Sequence, residues 1–151
     1  MKPEISDEEN ALILEALEGE PPWMAVAYKV ALAQGCRLKE ISFNIHEDVD
    51  LGAGKITFHA KQEDVFTTKL VPSNRDLREQ GKVRSWDHFG NASREWTRLF
   101  RKLGPGHLCF HSTRVTAITK CARKGFPLAQ ALRFFGRASS SVHEIYQKAV
   151  S

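Results

Sequence analysis

Apolar and polar positions recur with two different periods along this chain and divide it into a helical start, a short strand region and a helical remainder. Ser6 followed by Glu9 is a capping-box pattern, and acids crowd the turn that would follow. Ala11, Leu12, Leu14, Ala16 and Leu17 then recur on roughly one face, and Gly19 with Pro21-Pro22 ends that helix. Trp23 to Gln34 is mostly apolar, which predicts a helix buried on most sides and stopped by Gly35. Leu38-Lys39-Glu40-Ile41 predicts one more short helix.

The period then drops to two. Lys55 to Ala60 alternates, Val65 to Val71 follows, and Pro72 closes the run. Asp48-Val49-Asp50-Leu51 leads in through Gly52-Ala53-Gly54. A small antiparallel sheet is expected, with Lys61 at the mouth of its second turn. Residues 73–86 are polar and mixed, a loop. From Asp87 to Leu103 the helical period returns, with Trp96, Leu99, Phe100 and Leu103 as the core stripe and Arg94, Arg98, Arg101 and Lys102 largely off it. Gly104-Pro105-Gly106 breaks this helix, and Leu108-Cys109-Phe110 is a short buried link. A helix runs from Ser112 to about Lys124, where Gly125 ends it. Pro127 opens the next, which reaches Phe135 with Gly136 past its end. Ser141 and Glu144 form another capping box, starting a last helix with Tyr146 in its first turns. No internal repeat, low-complexity tract or linker interrupts the series. The expectation is one domain over residues 1–151, mainly α with a small antiparallel β-sheet (α+β).

Composition fits that picture, since 151 residues at 42% hydrophobic can build a real core. The net charge of +4 is less informative than its distribution. Residues 1–20 carry Glu4, Asp7, Glu8, Glu9, Glu15, Glu18 and Glu20 against Lys2 alone. Residues 111–151 carry Arg114, Lys120, Arg123, Lys124, Arg133, Arg137 and Lys148 against Glu144 alone. A polyanion can therefore meet the C-terminal face. Cys36, Cys109 and Cys121 have no CxxC spacing and read as reduced thiols in a cytosolic protein. His107-x-Cys109-x-His111 would share one face of a strand. A metal needs a fourth ligand and a closed shell, and none is apparent, so neither metal nor cofactor is expected. No apolar run approaches the ~20 residues of a membrane span and no signal peptide opens the chain, so a cytoplasmic protein without a membrane partner is expected.

Arg37, Lys61, His111, Arg114, Arg137 and Tyr146 form a set suited to phosphodiester chemistry. Such transfer mainly requires positioning and neutralisation of charge on the phosphoryl oxygens. Arginine stays charged and its planar fork binds two oxygens at once, so Arg37 and Arg114 can clamp both non-bridging oxygens. Arg37 directly follows a buried helix, and Glu40 three residues on can orient it. Tyr146 can form a covalent ester, but a phenol with a pKa near ~10 needs help losing its proton. His111 is the best candidate for that help, and Lys61 can protonate the departing sugar oxygen. Taken singly each residue is ordinary: Arg37 an exposed helix-end arginine, Lys61 a solubilising turn lysine.

Taken in order, the motifs resemble the catalytic domain of the tyrosine recombinase (phage integrase) family. ALAQGCRLKEISFNIHEDVDL is similar to the family's helix-Gly-x-Arg-x-x-Glu segment with its Asp-x-Asp-Leu lead-in. ITFHAKQEDVFTTKLVP resembles the lysine-bearing hairpin that ends in Val-Pro. HSTRVTAITKCARKGFPLAQALRFFGRASSSVHEIY resembles the His-x-x-Arg helix, the Leu-Gly-His turn and the tyrosine, at very similar spacing. ISDEENALILEAL resembles the usual start of that domain, so the likeness covers nearly the whole chain.

The resemblance implies that Arg37 and Arg114 bind the scissile phosphate, Lys61 is the general acid, Tyr146 forms a 3′-phosphotyrosyl bond and His111 assists proton transfer. It implies double-stranded DNA as the partner, a nucleoid-associated protein, and a tetramer on DNA from chains that are monomers when isolated. Three departures stand out. Arg137 occupies the position where the family usually has His, sometimes Trp; it can donate to a phosphate oxygen but is no acid or base near neutral pH. The segment between Lys61 and His111 is about one helix and one strand shorter than usual. The family's N-terminal DNA-clamping domain is missing from this sequence, so weak, salt-sensitive DNA binding is expected. Two alternatives share the fold: a catalytically silent DNA-binding module, and a type IB topoisomerase-like nicking and closing enzyme.

Overall fold

The computed structural model describes residues 4–40, 48–61, 64–72, 74, 89–104, 108–136 and 139–151. Helices α1 (Asp7–Leu17) and α2 (Pro22–Gln34) come first. The expected capping box starts α1: Glu9 N–H donates to Ser6 Oγ at 3.1 Å and Ser6 N–H to Glu9 Oε1 at 2.9 Å. Helix α2 has Pro22 in its first turn, ends at a left-handed Gly35 and buries Met24, Ala27, Tyr28, Val30 and Ala31. The short helix expected at Leu38 follows as a 3-10 turn, Leu38–Glu40; Ile41 lies outside the described residues.

Strands β1 (Val49–Asp50), β2 (Lys55–Lys61) and β3 (Asp64–Lys69) form an antiparallel sheet in that order. Lys61 pairs with Asp64 across a bulge after His59, so its backbone closes β2, where the sequence suggested the mouth of the turn. Strand β3 also stops two residues earlier than expected, for a local reason. Leu70 N–H turns to Gly54 O (2.8 Å), and Val71 N–H donates to Gln34 Oε1 (2.8 Å). Gln34 Nε2 in turn donates to Lys69 O at 3.0 Å, so one buried amide side chain joins α2 to the strand end.

Four helices complete the chain: α3 (Phe89–Leu103), α4 (His111–Arg123), α5 (Leu128–Phe135) and α6 (Ser139–Val150). The loop expected over 73–86 lies, apart from Asn74, outside the described residues, as do Asp87, Pro105 and His107. Cys109 and Ser112 exchange hydrogen bonds, Cys109 N–H to Ser112 Oγ (3.1 Å) and Ser112 N–H to Cys109 O (2.9 Å). This segment is thus a helix entry, and no strand face carries Cys109 with His111. Helix α6 begins at Ser139, ahead of the expected cap Ser141.

Two apolar clusters hold the elements. In the first, Trp96 of α3 packs on Phe110 (ring centroids 4.9 Å apart), Phe100 (6.0 Å), Tyr28 (6.2 Å) and edge-on to Trp23 (6.5 Å). The second joins Val115 and Ile118 of α4 to Ala131 and Phe135 of α5 and Val142 and Ile145 of α6. Gly35 is wedged where they meet. Its φ is +68°, and a Cβ there would stand 2.6 Å from the Phe135 ring and 3.3 Å from Ala117 Cβ. Left-handed backbone costs an L-residue roughly 1–2 kcal/mol and overpacking about 1–3 kcal/mol, so Gly35→Ala is expected to lose about 2–5 kcal/mol in urea unfolding. Gly54, at φ +66° with nothing within 4 Å of its would-be Cβ, is the matched control: Gly54→Ala should show the backbone cost alone, roughly 1–2 kcal/mol.

Candidate active site

Helix α4 is buried on nearly every side from Ser112 to Thr119. Its buried hydroxyls are satisfied mostly within the helix itself. Thr113 Oγ1 donates to Phe110 O and Thr116 Oγ1 to Ser112 O, each at 2.7 Å. Thr116 Oγ1 also accepts from Ile5 N–H at 2.7 Å, tying the start of the chain to this helix.

Arg114 instead reaches across to another element. Its side chain is 1% exposed, and Nη1 donates to the Gly35 carbonyl at 2.6 Å. That carbonyl sits at the C-terminal end of α2, where the final C=O groups lack intrahelical donors and the macrodipole is negative. A buried cation is well placed there. Cys36 follows, 3% exposed. Burial pushes its thiol far above the usual range; the Glu40 carboxylate adds to this and the Arg114 guanidinium opposes it. At neutral pH Cys36 is therefore a protonated, unreactive thiol.

Arg37, half-buried, comes next. Its N–H donates to Glu40 Oε1 at 2.8 Å and its C=O accepts from Glu40 N–H at 2.8 Å. Glu40, 5% exposed, thus fixes the Arg37 backbone. His111 is exposed as the first residue of α4, three positions before Arg114, at the end of a helix that favours anions. Strand β2, which Lys61 closes, packs on the 3-10 turn that follows Arg37. The Lys61 side chain and the whole of Arg137 lie outside the described residues. Gly136, immediately before Arg137, is held tightly: at φ +65° its would-be Cβ stands 2.5 Å from the Phe66 ring of β3. Phe135, just before it, presses on Gly35, whose carbonyl accepts from Arg114.

Tyr146 is placed elsewhere. Its hydroxyl donates to the carbonyl of Phe126, in the turn beyond the end of α4. At 1.5 Å per residue, about 14 Å of helix axis separates the level of Arg114 from the end of α4 at Arg123. The structure thus gathers Arg114, the Arg37 segment, the N-terminus of α4 and β2 at the α2–α4 junction, and holds the phenol at the opposite end of α4.

Two partners in this arrangement, the Gly35 and Phe126 carbonyls, were not among the candidates read from the sequence. A glycine directly after a buried helix marks the Gly35 carbonyl as an acceptor in want of a donor, a readable signal. The burial of Glu40 and the Phe126 carbonyl as the anchor of Tyr146 depend on tertiary packing and leave no local pattern.

No family model matches the chain, and no curated protein matches it. Solved structures do. XerA recombinase superposes with a TM-score of 0.69 at 20% identity, over 99% of this chain and 63% of that one. The Tn1549 transposon integrase in complex with transposon right end DNA gives 0.72 at 13%, over 97% of this chain and 62% of that one. A lambda integrase dimer bound to a COC' core site gives 0.72 at 17%, over 99% and 49%. The chain therefore spans about half to two thirds of the structures it matches. At these identities the likeness is one of fold, and the fold of this chain is that of the tyrosine recombinase catalytic domain.

Proposed function

We propose that the chain is the catalytic part of a site-specific DNA recombinase or integrase, cleaving and rejoining duplex DNA through a 3′-phosphotyrosyl intermediate. The observation that carries this reading is Arg114: a guanidinium 1% exposed, seated on the Gly35 carbonyl two residues before Arg37, within a recombinase fold. Burying a cation is costly unless it is hydrogen-bonded and compensated, and here the carbonyl at the C-terminal end of α2 supplies the acceptor.

In this reading Arg37 and Arg114 hold the non-bridging oxygens of the scissile phosphate, with Arg137 donating a further hydrogen bond. Tyr146, losing its proton with help from His111, attacks phosphorus. The bond to the 5′ oxygen breaks, that oxygen takes a proton from Lys61, and the 3′ phosphate stays on the tyrosine. Attack by a 5′ hydroxyl reverses the sequence, releases the phenol and seals the strand. Charge neutralisation by guanidinium groups takes the place of a metal ion. Double-stranded DNA is the substrate, the working assembly is a tetramer on DNA, and the phenol must leave Phe126 before it can react.

That last requirement favours one competing reading, a silent DNA-binding module of the same fold, because Tyr146 is engaged away from Arg114. A nicked suicide oligonucleotide separates the two. A covalent protein–DNA adduct supports the enzyme; its absence on every duplex that the chain binds supports the silent module. Relaxation of supercoiled plasmid without strand exchange would redirect the reading to a topoisomerase-like activity. DNA affinity should also fall steeply with salt, log Kobs dropping by about 0.9 per phosphate contact for each unit of log salt concentration. A titration flat in salt would contradict phosphate-dominated binding.

A further inference from the structure

A large cleft opens among the described residues, and none of Arg37, His111 or Arg114 lines it. It measures about 1200 Å³ and runs between α1, α2, the sheet, the C-terminal half of α4 and α5. Leu14, Val26, Phe126 and Phe134 supply apolar lining. Six cations line it, Lys29, Lys55, Lys69, Lys120, Lys124 and Arg133, with no carboxylate among the described lining residues. Small-molecule sites usually enclose about 300–1,000 Å³, so this cleft is more the size of a peptide segment. Its charge calls for an acidic occupant with an apolar edge.

The chain carries such a segment on its own surface. Helix α1 has Asp7, Glu8 and Glu9 in its first turn and buries Ile13 and Leu17 against the core. On another side Glu8, Leu12 and Glu15 fall one helical turn apart, all exposed, with Leu12 at 52%. A half-exposed leucine flanked by carboxylates matches the cleft in polarity and charge. At 11 residues α1 is about 17 Å long.

We propose that the cleft receives the Glu8–Leu12–Glu15 face of α1 from a second copy of this chain. Helix α1 also forms one wall of the cleft through Asn10 and Leu14, so reciprocal exchange about a two-fold axis closes the pair. The expected species is a dimer held by exposed charges, weakened by salt, and it departs from the monomer expected of the isolated chain. This inference goes beyond the strand-transfer reading and does not depend on it.

Sedimentation equilibrium of the chain tests it, at low and high salt. The wild type should show a monomer–dimer equilibrium whose Kd rises at least tenfold in high salt. Glu8→Lys with Glu15→Lys, and separately Lys120→Glu with Lys124→Glu, should each be monomeric. An equimolar mixture of the two double variants should dimerise again, because each acidic face then meets a basic one. Leu12→Ser, which leaves every charge in place, should weaken the wild-type dimer. Circular dichroism melts confirm that each variant is folded. A wild type that stays monomeric at its solubility limit in low salt overturns the proposal. So does association that survives either reversal, or a mixture that fails to pair. No arm reads DNA cleavage, so failure here and failure of the strand-transfer reading are distinguishable.

Discussion

Tyr146→Phe is expected to abolish the covalent adduct on a suicide substrate while leaving DNA affinity within about twofold. The phenol oxygen is the atom that bonds to phosphorus in the proposed reaction, and no other residue of the set supplies a comparable nucleophile. The structural cost should be small. The hydroxyl gives up one hydrogen bond, to the Phe126 carbonyl at an exposed site, for which about 0.5–1.5 kcal/mol is typical. The ring keeps its packing against α4 and α5 in the second cluster. Adduct yield on a denaturing gel, read beside a urea melt, separates chemistry from folding. An adduct that persists in Tyr146→Phe would remove the tyrosine from the mechanism and leave the fold without its proposed nucleophile.

The helices were legible because their signals are local. Ser6 and Glu9 cap α1 as their spacing predicts, and Gly35 ends α2 in the left-handed turn that glycine permits. The stripe at Trp96, Leu99 and Phe100 is buried, as its period requires. Strand ends were less legible, since Gln34, thirty-seven residues away in sequence, decides where Val71 leaves the ladder. The candidate site divides in the same way. That an arginine three residues after a histidine on α4 belongs near the Gly-x-Arg after α2 was readable from motif order. That it is buried there to 1%, with Gly35 O as acceptor, is a tertiary fact. The position of Tyr146 shows the limit. Sequence spacing places it on the last helix, but the hydroxyl's partner, the Phe126 carbonyl, is a main-chain group with no side-chain signature.

Arg114 should show two separable effects, one on folding and one on rate. Arg114→Met keeps an unbranched side chain but removes the donor to the Gly35 carbonyl, leaving that buried acceptor to bear a penalty of about 1–3 kcal/mol. Relief from burying a charge acts the other way, since replacing buried ions by apolar groups is often neutral or stabilising. Here the penalty should win. The Glu40 carboxylate, 5% exposed, bears with Arg114 on the Cys36 thiol, so removing the cation leaves a buried anion less compensated. A fall in urea stability of about 1–3 kcal/mol is therefore expected for Arg114→Met. Arg114→Lys retains the charge and one donor toward Gly35 and should lie closer to the wild type in the same melt. Its single-turnover cleavage should still drop by about 10²–10³-fold, because an ammonium cannot span two phosphoryl oxygens as the planar fork does. The contrast between the variants is the informative quantity. If Arg114→Lys cleaves at the wild-type rate, the guanidinium serves the α2–α4 junction alone, and the phosphate clamp must be sought among other cations.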